Sequence, residues 1–118
     1  MLLKCSDYHV GIFFIPHFAD LLVNSVHPAE CIVPINPQLD VITSTSDLAK
    51  AELILSGMNS RETILKRKMA PVVNYDYILI DCPPSINLLN INALVYANEA
   101  FVPVATDYLA LEALKKCR

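Results

Sequence analysis

The sequence predicts an α/β fold, a parallel β-sheet with helices on its faces, and three observations carry that expectation. Tyr77 to Ile80 is a continuous apolar run closed by Asp81; a strand that is apolar at every position is buried on both faces, as in parallel sheets. From Leu39 onward, strand-like and helix-like segments follow one another as β-α-α-β-α-β-α, the order that winds helices onto a parallel sheet. The composition is 54% hydrophobic with a mean hydropathy of +0.43, enough apolar surface for a buried sheet. At 118 residues the chain is one domain at most.

Taken in order, residues 1–16 show no helical period, and Gly11 to Ile15 is strand-like. Phe18 to Asn24 reads as a short helix with Leu21 and Leu22 inward. Pro28, Pro34 and Pro37 mark Pro28 to Pro37 as connector with a brief extended piece at Cys31 to Val33, because proline is disfavoured in helix interiors and central strands. Leu39 to Thr43 is short and β-rich. Ser46 or Asp47 is placed to cap a helix to about Ser56, and Gly57 to end it. Ser60 is placed to cap a second helix carrying Ile64, Leu65, Met69 and Val72 near helical spacing, limited by Pro71. Tyr75 to Ile80 is the strongest strand, broken by Asp81-Cys82-Pro83-Pro84-Ser85. A helix follows from about Asn87 to Ala97, then a strand at Ala100 to Val104 whose Pro103 argues for an edge. Thr106 or Asp107 begins a last helix through Lys116, with Tyr108 and Leu111 packing it onto the sheet.

Several function classes are disfavoured. Net charge is -3 and the pI about 5.5, so no global basic field supports nucleic-acid binding. The run Lys66-Arg67-Lys68 reads as a solvated helix face before it reads as a DNA contact. Cys5, Cys31, Cys82 and Cys117 are widely and irregularly spaced, which argues for reduced thiols over a zinc site or disulfide framework. Cys82 reads as a small packed residue. His9, His17 and His27 have no ligand spacing. Val10 to Pro16 is far below the roughly 20 residues that span a bilayer, and it lacks the cleavage site of a signal peptide.

Asp81 carries the chemistry. In a parallel sheet, ligands bind beyond the carboxyl ends of the strands, and Asp81 stands at such an end. A lone carboxylate directly after four apolar residues needs a partner or an open rim. On this local pattern alone it is a turn former or helix-cap partner more readily than a metal contact. The surrounding letters add to that. Y-D-Y-I-L-I-D-C-P-P-S (Tyr75 to Ser85) resembles the Walker B segment of the ParA/Soj/MinD family of deviant Walker A P-loop ATPases. Ile91 to Val104 (INALVYANEAFVPV) and Asp107 to Leu114 (DYLALEAL) continue the resemblance, and Leu39 to Glu52, ending D-L-A-K-A-E, precedes it. Arg61 to Arg67 resembles the family's basic helix before Walker B. The match runs from about Phe18 to Lys116, and the P-P-S and D-Y-L-A-L-E letters favour the ParA/Soj branch over MinD.

That resemblance implies a three-layer P-loop sandwich that binds ATP with Mg²⁺, forms an ATP-dependent homodimer and hydrolyses ATP slowly. It implies a ParB-like partner, non-specific DNA binding through a C-terminal region and no membrane. The setting would be cytoplasmic and nucleoid-associated, in plasmid or chromosome partitioning. Asp81 would be the catalytic and metal residue, holding Mg²⁺ through its water shell, with Pro83 and Pro84 shaping the nucleotide-side loop.

These 118 residues also lack something. The family's phosphate cradle is a glycine-rich loop ending in G-K-[ST], whereas the two glycines here, Gly11 and Gly57, are followed by Ile12 and Met58. Asn36-Pro37-Gln38 echoes a second acidic motif but lies too close to Leu39 to be its counterpart. The expectation is therefore an incomplete parallel-sheet P-loop NTPase sandwich lacking the P-loop strand: residues 1–17 as a divergent lead segment and 18–118 as a partial ParA-like ATPase domain. It reads as a fragment that hydrolyses nothing alone, with two alternatives: a non-enzymatic ParA-like interaction module, or a fragment of a MinD-like membrane-associated ATPase. Without its neighbour, the Walker B strand would show an apolar edge, a gap that the lead segment is placed to fill.

Overall fold

The computed structural model describes residues 2–3 and 16–104. Four strands and five helices are built from them: β1 (Leu2–Leu3), α1 (Phe18–Val23), α2 (Pro28–Cys31), β2 (Ile32–Asn36), β3 (Leu39–Ile42), α3 (Leu48–Ser56), a 3₁₀ turn (Arg61–Thr63), α4 (Ile64–Lys68), β4 (Ile78–Leu79) and α5 (Leu88–Tyr96). The strands form one sheet in the order β2-β3-β1-β4.

The architecture is α/β as expected, but the hydrogen-bonded pairings are antiparallel, where the sequence pointed to a parallel sheet. β2 and β3 form a hairpin with Val33 opposite Val41 and an irregularity between Pro34 and Asn36. β1 lies antiparallel to β3 on one side and to β4 on the other, with Leu2 opposite both Val41 and Leu79. Because both flank the same reversed strand, β3 and β4 run in the same direction. The co-directional pair of a parallel sheet is thus kept, with two residues of the lead segment between its members. The expected strand at Gly11 to Ile15 lies outside the described residues.

The stretch Pro28 to Pro37 is more than a connector: the extended piece expected at Cys31 to Val33 overlaps the start of β2, which runs on through Pro34 to Asn36, and α2 precedes it. Pro28 stands at the first position of α2, where its missing N–H has no intrahelical partner to lose, and His27 Nδ1 accepts from Ala29 N at 3.2 Å. Pro34 lies in β2 at the end of the sheet, where a strand has one unpaired side and tolerates proline. The hairpin turns at Pro37-Gln38, closed by Gln38 N donating to Asn36 Oδ1 at 2.9 Å. His17 is structural. Its Nδ1 bonds the Thr43 hydroxyl at 2.7 Å, tying the start of α1 to the end of β3.

Caps differ from the sequence expectation in detail. Asp47 precedes α3 without a side-chain cap bond; its carboxylate instead pairs with Lys50 at 2.8 Å. Ser60 is in the left-handed region (φ 52°) and also makes no side-chain cap; Thr63 bonds back to its carbonyl through both N–H and hydroxyl. Gly57 ends α3 in a right-handed conformation, so glycine is not required there by its backbone angles.

One core lies between one face of the sheet and the helices. Leu21, Leu22, Cys31, Ile42, Leu55, Ile64, Leu65 and Met69 are buried together, with Ile32, Ile78, Ile80, Leu88 and Tyr96 packed against them. Among the described residues this is the only face of the sheet that helices cover. The run from Tyr77 to Ile80 therefore alternates instead of burying both faces: Ile78 and Ile80 are half-buried, whereas Tyr77 is 71% and Leu79 56% exposed. Only Ile78–Leu79 of the expected strand is paired. Ala100 to Val104 forms no strand with the described residues, and Phe101 is 86% exposed. The helix expected from Thr106 or Asp107 to Lys116 lies outside the described residues.

Candidate functional site

β4 delivers the site. Its two paired residues lead through half-buried Ile80 to Asp81, and the chain then runs exposed through Cys82, Pro83, Pro84 and Ser85 to the N-terminus of α5. Asp81 thus sits where the sequence placed it, at the carboxyl end of a strand and on an open rim. Among the described residues no basic side chain forms an ion pair with it. The loop after it is tight: Ser85 N donates to Pro83 O at 2.8 Å.

Two prolines in succession remove two backbone donors from this loop, so its carbonyls are met from outside. The Asn90 amide donates to Pro83 O at 2.7 Å and also to Ser85 O. Asn87 caps α5, its Oδ1 accepting from Asn90 N at 2.9 Å, and its own amide donates to the Ser85 hydroxyl at 3.0 Å. From α3, Glu52 Oε1 accepts the N–H of Leu88, the first residue of α5, at 3.0 Å. A carboxylate at a helix N-terminus meets both an orphan donor and the positive end of the helix dipole.

Of the sequence-derived site residues, the structure brings Asp81, Pro83 and Pro84 into one exposed loop. Asp107 lies outside the described residues. Cys82 is exposed and not packed; partial burial of its thiol and the neighbouring Asp81 charge push its pKa up, which disfavours the reactive thiolate. Lys66 and Arg67 are exposed, while Lys68 turns its ammonium to Asn24 O at 2.6 Å. Sequence reasoning missed Asn90 and Glu52 as parts of the site. Glu52 was visible only as the last letter of D-L-A-K-A-E; Asn90, on a mostly apolar helix, left no separate signal.

The donor set can be weighed against a metal. Among the described residues no three His, Cys, Asp or Glu side chains cluster for a metal. Mg²⁺, however, keeps much of its water and is held by one or two carboxylates together with substrate phosphates. A single exposed carboxylate at a strand end fits that mode and no all-protein cage. A separate groove between α1 and α3, lined by Asp20, Asn24, Thr45, Asp47 and Lys50 among others, does not include Asp81.

Comparison with known proteins bears on the same residues. The AAA domain family matches residues 8–117. The chain is 46% identical over 99 residues to the sporulation initiation inhibitor protein Soj of Bacillus subtilis, covering 82% of this chain and 39% of that one. It is 41% identical over 98 residues to the chromosome-partitioning ATPase Soj of Treponema pallidum, covering 80% of this chain and 38% of that protein.

The chain belongs to the ParA/Soj family of P-loop ATPases.

Its fold agrees: cobyrinic acid a,c-diamide synthase from Mycobacterium smegmatis, solved with a bound ATP analog and magnesium, superposes with a TM-score of 0.65 at 32% identity, over 70% of this chain and 34% of that one. This member of the ParA/Soj family thus spans less than two-fifths of the length of the relatives it matches. The loop from Asp81 to Ser85 lies inside the matched segment, and no G-K-[ST] sequence occurs among the 118 residues.

Proposed function

We propose that this chain carries the magnesium side of the nucleotide site of a partitioning ATPase and does not hydrolyse ATP by itself. The observation that carries the reading is Asp81, an exposed carboxylate at the exit of β4 within a loop pinned to α5, in a family segment that comes without its phosphate cradle.

Magnesium, when bound, bridges the nucleotide phosphates and neutralises their developing charge. Asp81 would hold the metal's water shell from the strand end, and Pro83 and Pro84 would turn the chain away from the phosphates and keep the loop stiff. The glycine-rich loop supplies most backbone donors to the phosphates, and one carboxylate does not replace them. In the assembled site, the reading includes a second ATP-bound copy, a ParB-like partner and non-specific DNA in a cytoplasmic, nucleoid-associated setting. No helix of the described residues is long and apolar enough to cross a membrane.

Calorimetric titration of Mg·ATP into the purified chain tests this. No saturable binding and no phosphate release are expected at millimolar nucleotide. Binding abolished by Asp81→Asn would confirm the carboxylate's role but overturn the claim that the chain is inert alone. The non-enzymatic interaction module gains support from one observation, the apolar face around Tyr77 and Leu79 that the described helices leave open. Co-purification with an intact family member, without nucleotide turnover, would favour it.

A further inference from the structure

The loop that presents Asp81 cannot hold its own shape. Pro83 and Pro84 have no N–H, so between Asp81 and Ser85 the loop retains few donors with which to close a turn on itself. Its internal closure is the contact from Ser85 N to Pro83 O at 2.8 Å. The remaining anchors come from side chains outside this stretch; one is the Asn87 amide, which donates to the Ser85 hydroxyl at 3.0 Å, and two others reach further. Asn90, the third residue of α5, gives its amide to Pro83 O at 2.7 Å and to Ser85 O. Glu52, on α3, accepts from the first N–H of α5 at 3.0 Å. The loop is thus fixed to α5, and the start of α5 is fixed to α3, which packs with α1 and α5 around the core.

We propose that Asn90 and Glu52 are positioning residues for Asp81: Asn90 sets the shape of the loop by donating to two of its carbonyls, and Glu52 fixes the helix start on which that loop rests. The proposal rests on the reading of Asp81 given above, and it names the residues through which α3 and α5 control where that carboxylate stands. Asn90 suits this role because an amide has two N–H donors on one nitrogen. That nitrogen meets two carbonyls two residues apart, one of which, Pro83 O, also receives Ser85 N.

Asn90→Asp is the sharp test. It keeps the shape of the side chain and removes both donors, leaving a carboxylate facing two carbonyl oxygens. At the same time it places a negative charge in the first turn of α5, which favours the helix. A role confined to helix stability predicts an unchanged or steadier α5. A positioning role predicts a loosened loop beside an intact helix. Hydrogen exchange on the full chain separates the two, because Ser85 N–H reports loop closure and the amides from Asn92 to Tyr96 report the helix.

The expected result is exchange at Ser85 at least about tenfold faster in Asn90→Asp, with Asn92 to Tyr96 unchanged. Asn90→Ala, which introduces no charge, should loosen the loop in the same sense and serves if the aspartate variant does not fold. For Glu52, Glu52→Ala should speed exchange at Leu88, and Glu52→Gln, which keeps an acceptor oxygen, should restore most of the protection. Unchanged exchange at Ser85 in both Asn90 variants, or a rise shared equally by the helix amides, would overturn the assignment of Asn90. Equal exchange at Leu88 in Glu52→Ala and the parent chain would overturn that of Glu52. The exchange is read without nucleotide, so a failed Mg·ATP assignment and a failed positioning assignment give different results.

Discussion

Asn92 is the residue on which the docking of α5 turns. It is 1% exposed, and its side-chain bonds join separate pieces of chain. Its Oδ1 accepts from Leu65 N at 3.0 Å, and its Nδ2 donates to Arg61 O at 2.7 Å and to Leu88 O at 2.9 Å. Leu65 N is one of the N–H groups at the start of α4 that no intrahelical carbonyl can meet. Asn92→Ala leaves that buried donor and the part-buried Arg61 carbonyl without their partner, which should cost about 2–4 kcal/mol as read by urea unfolding. Tyr75 offers a milder case. Its hydroxyl donates to Asp40 at 2.7 Å, and Asp40 is only 9% exposed, so Tyr75→Phe should cost about 1.5–3 kcal/mol in the same measurement. Cys82 gives a prediction in pH. Its thiol pKa is raised by desolvation and then by the Asp81 charge, so its alkylation by iodoacetamide should require a higher pH than an ordinary thiol. Asp81→Asn removes the charge that opposes the thiolate and should move the alkylation midpoint down; an unmoved midpoint would mean the carboxylate points away from the sulfur.

At the scale of elements, α3, α5 and the strand ending at Asp81 were legible because each rests on local chemistry. The spacing of apolar residues, a helix start at about Asn87 and a break at two prolines are all visible in a short window. The hairpin arm β2 was legible only at its start, where an extended piece was expected at Cys31 to Val33. Proline was weighed as a breaker of central strands, and nothing local shows that Pro34 falls on the outermost strand, where its missing N–H is tolerated. The run from Tyr77 to Ile80 failed for the complementary reason. An apolar run announces two buried faces only if both faces are covered, and covering is a property of the sheet, not of the run. Among the described residues β4 is the terminal strand, and Tyr77 and Leu79 are exposed. Such an edge invites pairing with another chain. Leu79→Lys should therefore lower self-association in light scattering or sedimentation, and leave the stability in urea within about 0.5 kcal/mol of the parent because that side chain is exposed.

For the whole molecule, the question is what joins β4, and with it Asp81, to the rest of the sheet. Among the described residues β4 has a single neighbour, and that neighbour is the two-residue strand β1. The first residues of the chain therefore stand between strands that lie far along the sequence, at Leu39–Ile42 and Ile78–Leu79. This contact was only half legible. An open edge beside the strand that leads to Asp81 follows from the family resemblance, and a lead segment was placed to fill the gap. The choice of Leu2–Leu3, and the reversed direction, depends on pairing with distant strands, for which the sequence carries no local signal. Within β1, two N–H groups serve two ladders, so a proline at position 3 removes half of them. Leu3→Pro should cost about 1–3 kcal/mol in urea unfolding, as should Leu2→Pro, and the one of the two that removes the N–H facing β4 should quicken hydrogen exchange in Ile78–Leu79 more than in α3. Leu3→Val, which keeps the N–H and suits a strand, should leave both readings near those of the parent chain. Leu2 and Leu3 direct their N–H groups to opposite neighbours, so one of Leu2→Pro and Leu3→Pro strikes the ladder to β4; exchange at Ile78 and Leu79 unchanged by both would mean that β4 is held by its core-facing side chains alone, and that the sheet reaches Asp81 without β1.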